Sequence, residues 1–275
     1  MYPRSFFALI GLLVCLAGGC GGGQNELPYA TPERLDKGLV VVLPGVHGRL
    51  WISDSVCQGL GDGGVEQAIV VYDWTWMGKL LPFYNLGQAD RNVRVAVDIA
   101  QYVMDYQDKY PGRPVTLVGY SGGGPLAVWA AEAMPPGRQV DGIILLSPPL
   151  VPEYDLRPAL RSCRKGAVNF YSTSDVIYLE LGTLIFGTMD KENAASAGNL
   201  SFLSQETPLQ PPYDRLFQIA WQSKMAEDGY NGQHLTIGEA PYVRDYVAPL
   251  VRSAIWDQAL IDATREGRGA DAVRP

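Results

Sequence analysis

The chain has 275 residues, of which 47% are hydrophobic and 19% are charged, and its formal net charge is −7. This length and apolar content fit one large globular domain rather than two small ones. The negative charge and the lack of any run of basic residues argue against nucleic acid as a partner, because binding a phosphate backbone requires clustered lysines and arginines.

The N-terminal segment has the features of an export signal. Arg4 precedes an apolar run over residues 6–17, which is too short to cross about 30 Å of hydrocarbon but suits a signal-peptide core. Residues 16–20 resemble the cleavage site of bacterial lipoproteins, in which the thiol of Cys20 carries the lipid. Ordinary signal-peptidase cleavage after Gly19 is the alternative. We therefore expect an exported lipoprotein that faces the periplasm or the cell surface and touches the membrane only through its lipid anchor.

Short apolar runs alternate with helical patterns along the rest of the chain. Strands are predicted at residues 39–43, 67–72, 114–119, 140–146, 167–171 and 216–221. Helices are predicted at 51–60, 92–110 and 125–134, and from about 241 to 261 with a break or kink at Pro249. This alternation predicts an α/β fold with a mostly parallel central sheet and helices on both faces.

The segment between the fifth and the last strand, from Asp175 to Leu216, is too long for a plain connection. It predicts a small helical insertion. The predicted organisation is a signal peptide over residues 1–20, a flexible tether over 21–37, one α/β domain over 38–262 and a disordered tail over 263–275.

The strongest chemical signal is the pentad at residues 119–123, which matches the pattern G-x-S-x-G with Ser121 at its centre. It lies between an apolar strand and a helix, where a sharp turn exposes a serine hydroxyl. The helix that begins there also offers the Gly122 amide to a developing negative charge. The sequence therefore predicts Ser121 as a nucleophile.

A nucleophilic serine requires a base and an acid that orients the base. The chain has two histidines: His47 directly after the first strand, and His234 in a polar loop between the sixth strand and the last helix. Asp175 directly follows the fifth strand, at the edge of the sheet where ligands of parallel sheets bind. Asp190 is the main alternative acid, and Asp228, which is close to His234 in sequence, is a less favoured one.

Together, these motifs resemble the α/β-hydrolase superfamily over about residues 39–262. In that family the nucleophile, the acid and the histidine occur in this order along the chain. The resemblance implies that Ser121 forms an acyl-enzyme, that His234 moves the proton and that Asp175 holds the imidazole ring. It also implies a serine hydrolase that acts on small-molecule carboxylesters.

The resemblance extends to the surroundings of the triad. The loop after the first strand supplies a backbone oxyanion donor in this family, which implies Val46 as the partner of Gly122. His47 is then expected to line the pocket or to pack beneath it. Tyr120 and Trp74 are expected in an apolar pocket, unless they are simply part of the core.

Other functions on the same fold stay open. Peptide or amide hydrolysis, or acyl transfer to an alcohol, would use the same triad. A lipoprotein that uses the fold only for binding is the alternative from another class. No cofactor is expected, because the glycine-rich stretch at residues 59–64 follows a helix and precedes a strand, the reverse of the order that dinucleotide binding needs.

The cysteines and histidines show no metal-ligand spacing, so no metal is expected. Cys57 and Cys163 could form a disulfide in an exported protein. Two separate buried thiols are the favoured interpretation.

Overall fold

The computed structural model describes residues 29–76, 85, 88–175, 196–203 and 210–273. The predicted signal peptide, Cys20, residues 21–28 of the tether and Asp190 lie outside the described residues. In the described part of the chain, no helix combines the length and the apolar character that crossing a membrane requires.

One sheet of six parallel strands forms the centre of the molecule, in the order β2-β1-β3-β4-β5-β6. The strands are β1 Leu39–Leu43, β2 Ala68–Val71, β3 Val115–Tyr120, β4 Val140–Leu146, β5 Cys163–Tyr171 and β6 Leu216–Ala220. Every residue of β1, β3 and β4 is buried, because helices cover both faces of a parallel sheet. The predicted fold class is confirmed.

The described helices occupy the connections between these strands. The α-helices are α1 Pro32–Leu35, α2 Trp51–Asp62, α3 Ala89–Lys109, α4 Gly123–Glu132, α5 Arg157–Arg161, α6 Ala197–Leu200, α7 Ala240–Tyr242, α8 Ala248–Arg252 and α9 Gln258–Arg265. Short 3-10 helices lie at Tyr213–Arg215, Ser223–Asp228 and Gly269–Ala272. Of the predicted insertion between β5 and β6, the structure describes α6 and the first of these 3-10 helices.

The sheet separates two apolar cores. Leu39, Val41 and Leu43 of β1 pack on one face with α3 and α4. Val40 and Val42 pack on the other face with α2 and the C-terminal helices. This alternation within one strand is the period of two that places successive side chains on opposite faces.

The predicted C-terminal helix is broken rather than continuous. After α7 the chain takes π-helical turns over Val243–Val247, passes through α8 and resumes as α9. Pro249 is the second residue of α8, which follows the π-helical turns, and proline removes one backbone donor and crowds the preceding turn. The non-helical residues, however, are 253–257, so the interruption lies after Pro249 and not at it.

The expected disordered tail after residue 262 is not what the described residues show. Helix α9 continues to Arg265, and Gly269–Ala272 forms a 3-10 helix. Thr264 is fully buried, and its hydroxyl donates to Leu260 O at 2.8 Å. A Cβ on Gly269 would lie 3.1 Å from Pro249 Cβ, so small residues let this segment pack closely without any apolar periodicity.

Cys57 and Cys163 are both free and buried. They belong to the two different cores, on opposite faces of the sheet, so they do not form a disulfide with each other. Burial raises the pKa of each thiol to about 12, which keeps both thiols protonated and unreactive.

Candidate active site

The three side chains of the predicted triad meet at the carboxyl edge of the sheet. Nε2 of His234 lies 2.8 Å from Oγ of Ser121, and Nδ1 of His234 lies 2.8 Å from Oδ2 of Asp175. The partners are 113 and 59 residues apart in sequence. The fold thus forms one continuous hydrogen-bond chain from a serine hydroxyl through an imidazole to a carboxylate.

The turn that carries Ser121 is strained. Ser121 has a φ of +49°, in the left-handed region that side chains with a Cβ rarely adopt. A Cβ on Gly119 would lie 2.6 Å from Gly123 O, and a Cβ on Gly123 would lie 2.1 Å from Leu43 O. Only glycine fits at these two positions. Gly119 and Gly123 therefore allow α4 to lie close to the strands, and the tight turn between them projects the Ser121 side chain beyond the end of β3.

The hydrogen-bond chain is almost completely enclosed. The exposed fractions are 3% for Ser121, 3% for His234 and 1% for Asp175. Enclosure excludes competing water and strengthens the electrostatic interactions between these groups. Buried polar groups also need a hydrogen-bond partner, which is either a protein group or an ordered water.

The side chain of Tyr120 packs against His234. Its ring centroid lies 5.4 Å from that of His234, and its hydroxyl donates to the backbone oxygen of His234 at 3.3 Å. Burial, reinforced by the charge of Asp175, raises the pKa of the Tyr120 phenol well above its usual value. The phenol therefore stays protonated and keeps its donor role.

Further hydrogen bonds join the loops that carry the acid and the histidine. The Gln233 side chain donates to Ser174 O at 2.9 Å, and the Asn199 side chain donates to Asp175 O at 3.0 Å. These bonds lie directly beside the two triad residues. The first bond joins the loop of His234 to the loop of Asp175, and the second joins the loop of Asp175 to α6.

The loop after β1 lies against the turn that carries the serine. A Cβ on Gly122 would lie 3.4 Å from Val46 N, so the two predicted oxyanion donors are neighbours. In the part of the chain that the structure describes, neither amide donates a hydrogen bond to another residue. Both amides are therefore free to donate to an atom held next to Ser121.

Two side chains hold the loop that carries Val46. The indole of Trp74 donates to Pro44 O at 2.7 Å, and the side chain of Asn85 donates to Val46 O at 3.1 Å. Trp74, predicted as a pocket residue or a core residue, is buried, and its ring also lies against Gly122. Asn85 was missed by the sequence analysis, because it is 39 residues away from Val46 and no local motif marks it.

His47 has a more peripheral place than its neighbour Val46. Its side chain is exposed, so the expectation that it packs beneath the pocket is wrong. A role in lining the entrance stays a prediction. The structure brings His234, and not His47, to Ser121.

The alternative acids do not take the place of Asp175 in the described residues. Asp228 lies beside Asp245, and burial together with the charge of Asp245 raises the pKa of the Asp228 carboxyl. Asp190 lies outside the described residues. Within the described ranges, no group of three or more His, Cys, Asp or Glu side chains is placed to hold a metal ion.

A parallel sheet with a strained serine turn and a serine–histidine–aspartate chain at its carboxyl edge defines an α/β-hydrolase architecture. The profile of the Alpha/beta hydrolase family matches residues 40–271. The chain belongs to this family, and membership supports a hydrolytic enzyme. A search of curated proteins found no match.

Solved structures share the fold at low sequence identity. Aspergillus fumigatus lipase B superposes with a TM-score of 0.52 at 15% identity, and the match covers 90% of this chain and 60% of the lipase. The chain therefore spans about three fifths of the length of that lipase. The esterase domain of a Rhodothermus marinus protein has a TM-score of 0.44 at 14% identity, covering 81% of this chain and 88% of that domain. The Pyrobaculum calidifontis esterase has a TM-score of 0.44 at 15% identity, covering 86% and 77% respectively.

Proposed function

We propose that the protein is a serine hydrolase that cleaves small-molecule carboxylesters through an acyl-enzyme. The observation that carries the proposal is the enclosed hydrogen-bond chain from Ser121 through His234 to Asp175, with both contacts at 2.8 Å. A nucleophile, its base and the group that orients the base are all within hydrogen-bond reach, which is the geometry that this chemistry requires.

In the first half of the reaction, Ser121 Oγ attacks the ester carbonyl carbon while Nε2 of His234 takes the hydroxyl proton. Asp175 accepts a hydrogen bond from Nδ1–H, holds the ring in the required tautomer and stabilises the imidazolium that forms. The tetrahedral intermediate collapses when the C–O bond to the alcohol breaks, and His234 returns its proton to that leaving alcohol.

In the second half, water attacks the acyl carbon of the ester on Ser121. His234 takes a proton from this water and then gives it to the Ser121 oxygen as the acid product leaves. In both halves, the carbonyl oxygen becomes negatively charged in the tetrahedral intermediate and accepts hydrogen bonds from the Val46 and Gly122 amides. In enzymes of this kind, loss of one such donor costs about 10²- to 10³-fold in kcat.

The choice of esters rests on the chemistry of the family rather than on a bound ligand. One structural neighbour, which superposes with a TM-score of 0.52, is named a lipase. Alkoxide-type leaving groups also place a smaller demand on His234 as a general acid than amines do. Amide hydrolysis and acyl transfer use the same residues and form the second candidate.

The test is a panel of p-nitrophenyl esters of increasing acyl length, assayed beside the matching p-nitroanilides and aminoacyl amides. We expect turnover of the esters, with an initial burst of p-nitrophenol where hydrolysis of the acyl-enzyme is slow. Faster turnover of amides than of esters would replace the esterase proposal by a peptidase. No turnover of any compound would favour the lipoprotein that uses the fold only for binding.

We also propose that the protein is exported and anchored by a lipid on Cys20, on the basis of the sequence alone. We expect the purified protein from membranes to carry the mass of a lipid at its N-terminus. The variant Cys20→Ser should lose this mass and appear in the soluble exported fraction. Identical mass and fractionation of the two proteins would contradict the anchor.

A further inference from the structure

The second carboxylate oxygen of Asp175, Oδ1, differs from the other triad atoms in its hydrogen bonding. Oδ2 binds His234, whereas Oδ1 is fully buried and has no hydrogen-bond partner among the described residues. A buried carboxylate oxygen without a donor is costly, because it has lost the water that solvates it in the unfolded chain.

Two hydroxyl groups in the same region of the protein are also buried without a hydrogen-bond partner of standard geometry in the described part of the chain. Oγ of Ser147 and Oη of Tyr230 are buried and make no hydrogen bond of standard geometry with the described residues. The residues are 0% and 1% exposed. Burial raises the pKa of the Tyr230 phenol, the charge of Asp175 raises it further, and polar contacts with Ser172 and Ser147 lower it. The phenol therefore lies beside Ser172 and Ser147, and Ser172 O accepts a hydrogen bond from Asp175 N at 3.1 Å. This contact joins the phenol to the segment that carries the carboxylate.

Ser147 lies close to the triad and has a strained backbone conformation. Ser147 directly follows β4 and lies beside the triad, since the residue before it, Leu146, accepts a hydrogen bond from Ser121 N at 2.9 Å. Its φ is +51°, a strained conformation for a residue with a Cβ, and such strain is concentrated at functional sites. Glycine would adopt this conformation freely, so the serine hydroxyl is the feature that distinguishes the residue found here.

We propose that Ser147 and Tyr230 are positioning residues for Asp175, whose Oδ1 they hold through one internal water. The water accepts hydrogen bonds from the Ser147 and Tyr230 hydroxyls and donates one to Oδ1. Three polar partners are the usual number for a buried water. The arrangement satisfies all three buried groups.

The consequence for His234 follows from the charge of the carboxylate. The water draws part of the negative charge of Asp175 toward Oδ1 and keeps Oδ2 aimed at Nδ1 of the imidazole. When one hydroxyl is removed, more charge stays at Oδ2, and protonation of His234 becomes easier. The role in catalysis rests on the proposed function, whereas the effect on the protonation of the imidazole does not.

The decisive experiment is an NMR pH titration of the histidine rings in Tyr230→Phe and Ser147→Gly, with exposed His47 as the reference within each sample. The matched control is Tyr242→Phe. Tyr242 is another fully buried phenol, its hydroxyl has no hydrogen-bond partner in the described part of the chain, and its ring centroid lies 4.7 Å from that of Tyr230. The ionisable groups that act on Tyr242 are tyrosines and do not include Asp175.

We expect the His234 titration to move to higher pH by about half a unit or more in both test variants, and to stay in place in Tyr242→Phe. Unchanged titration in both test variants, or an equal shift in the control, would overturn the proposal. Ser147→Gly keeps the experiment decisive if Tyr230→Phe folds poorly, because glycine relieves the strained φ at position 147.

Kinetics and crystallography give separate readouts. We expect kcat/KM of each test variant to fall about tenfold, with the acid limb of its pH profile displaced in the same direction. Wild-type protein without any turnover would contradict the proposed function and leave the titration to decide the present proposal. A crystal structure should show a water within about 3 Å of Oδ1 and of both hydroxyls, and Oδ1 without that water would contradict the bridge.

Discussion

Replacing Ser121 by alanine is expected to lower kcat for ester hydrolysis by about 10⁶-fold. The hydroxyl supplies the attacking oxygen, and none of the groups hydrogen-bonded to it can form the acyl-enzyme in its place. The enclosed position of Ser121, 3% exposed, also limits direct attack by water on a bound ester. The measurement is kcat for the best p-nitrophenyl ester of the panel, with circular dichroism to show that the variant is folded.

The matched control is Ser253→Ala, which removes another buried serine hydroxyl. The Ser253 hydroxyl donates to Ile255 O at 2.7 Å, in the loop between α8 and α9. We expect this variant to keep wild-type kcat. A folded Ser121→Ala protein with more than about a hundredth of wild-type activity would contradict the role of Ser121, because the residual rate of a disabled triad is far lower.

Replacing Asp175 by asparagine is expected to lower kcat by about 10⁴-fold. The amide has nearly the shape of the carboxylate but carries no charge to stabilise the imidazolium. Its NH2 group can also donate to Nδ1 of His234, which favours the tautomer that leaves Nε2 protonated and unable to act as a base. The measurement is kcat for the same ester, and KM is expected to change little, because Asp175 does not touch the substrate.

Asp190→Asn provides the comparison for this result, since Asp190 is the alternative acid from the sequence. We expect Asp190→Asn to retain turnover close to wild type. Near-normal kcat in Asp175→Asn together with a large loss in Asp190→Asn would transfer the role of the acid to Asp190. It would also show that the contact between Asp175 and His234 is not the one used in catalysis.

The sequence predicts the sheet well because its strands are buried on both faces. Such strands appear as uninterrupted apolar runs, and β1, which is such a run, has the predicted bounds. Strand β4 also has the predicted bounds, although Asp141 interrupts its apolar residues. The start of β5 was placed too late, at residue 167 instead of Cys163. Lys165 interrupts the apolar pattern, but it is buried, donates to Ser253 O at 2.8 Å and lies 5.4 Å from the ring of Trp256.

The meeting of the three side chains of the proposed triad could be predicted because each of them follows a strand or lies in a loop at the same edge of the sheet. Topology then brings together residues that are far apart in sequence. The supporting residues could not be found in this way. Asn85 holds the loop of Val46 through one long-range hydrogen bond, and Tyr230 is proposed to reach Asp175 only through a water. No spacing rule links a buried amide or phenol to a loop formed elsewhere in the chain.

The central claim is that His234 and Asp175 activate Ser121 as a nucleophile. The most direct test is treatment of the folded protein with a fluorophosphonate, followed by intact mass and peptide mapping. We expect one adduct per chain, on the peptide that contains Ser121, with the label absent from Ser121→Ala and strongly slowed in a His234→Ala variant. A wild-type protein that stays unlabelled, or that carries its adduct on another residue, would contradict the account.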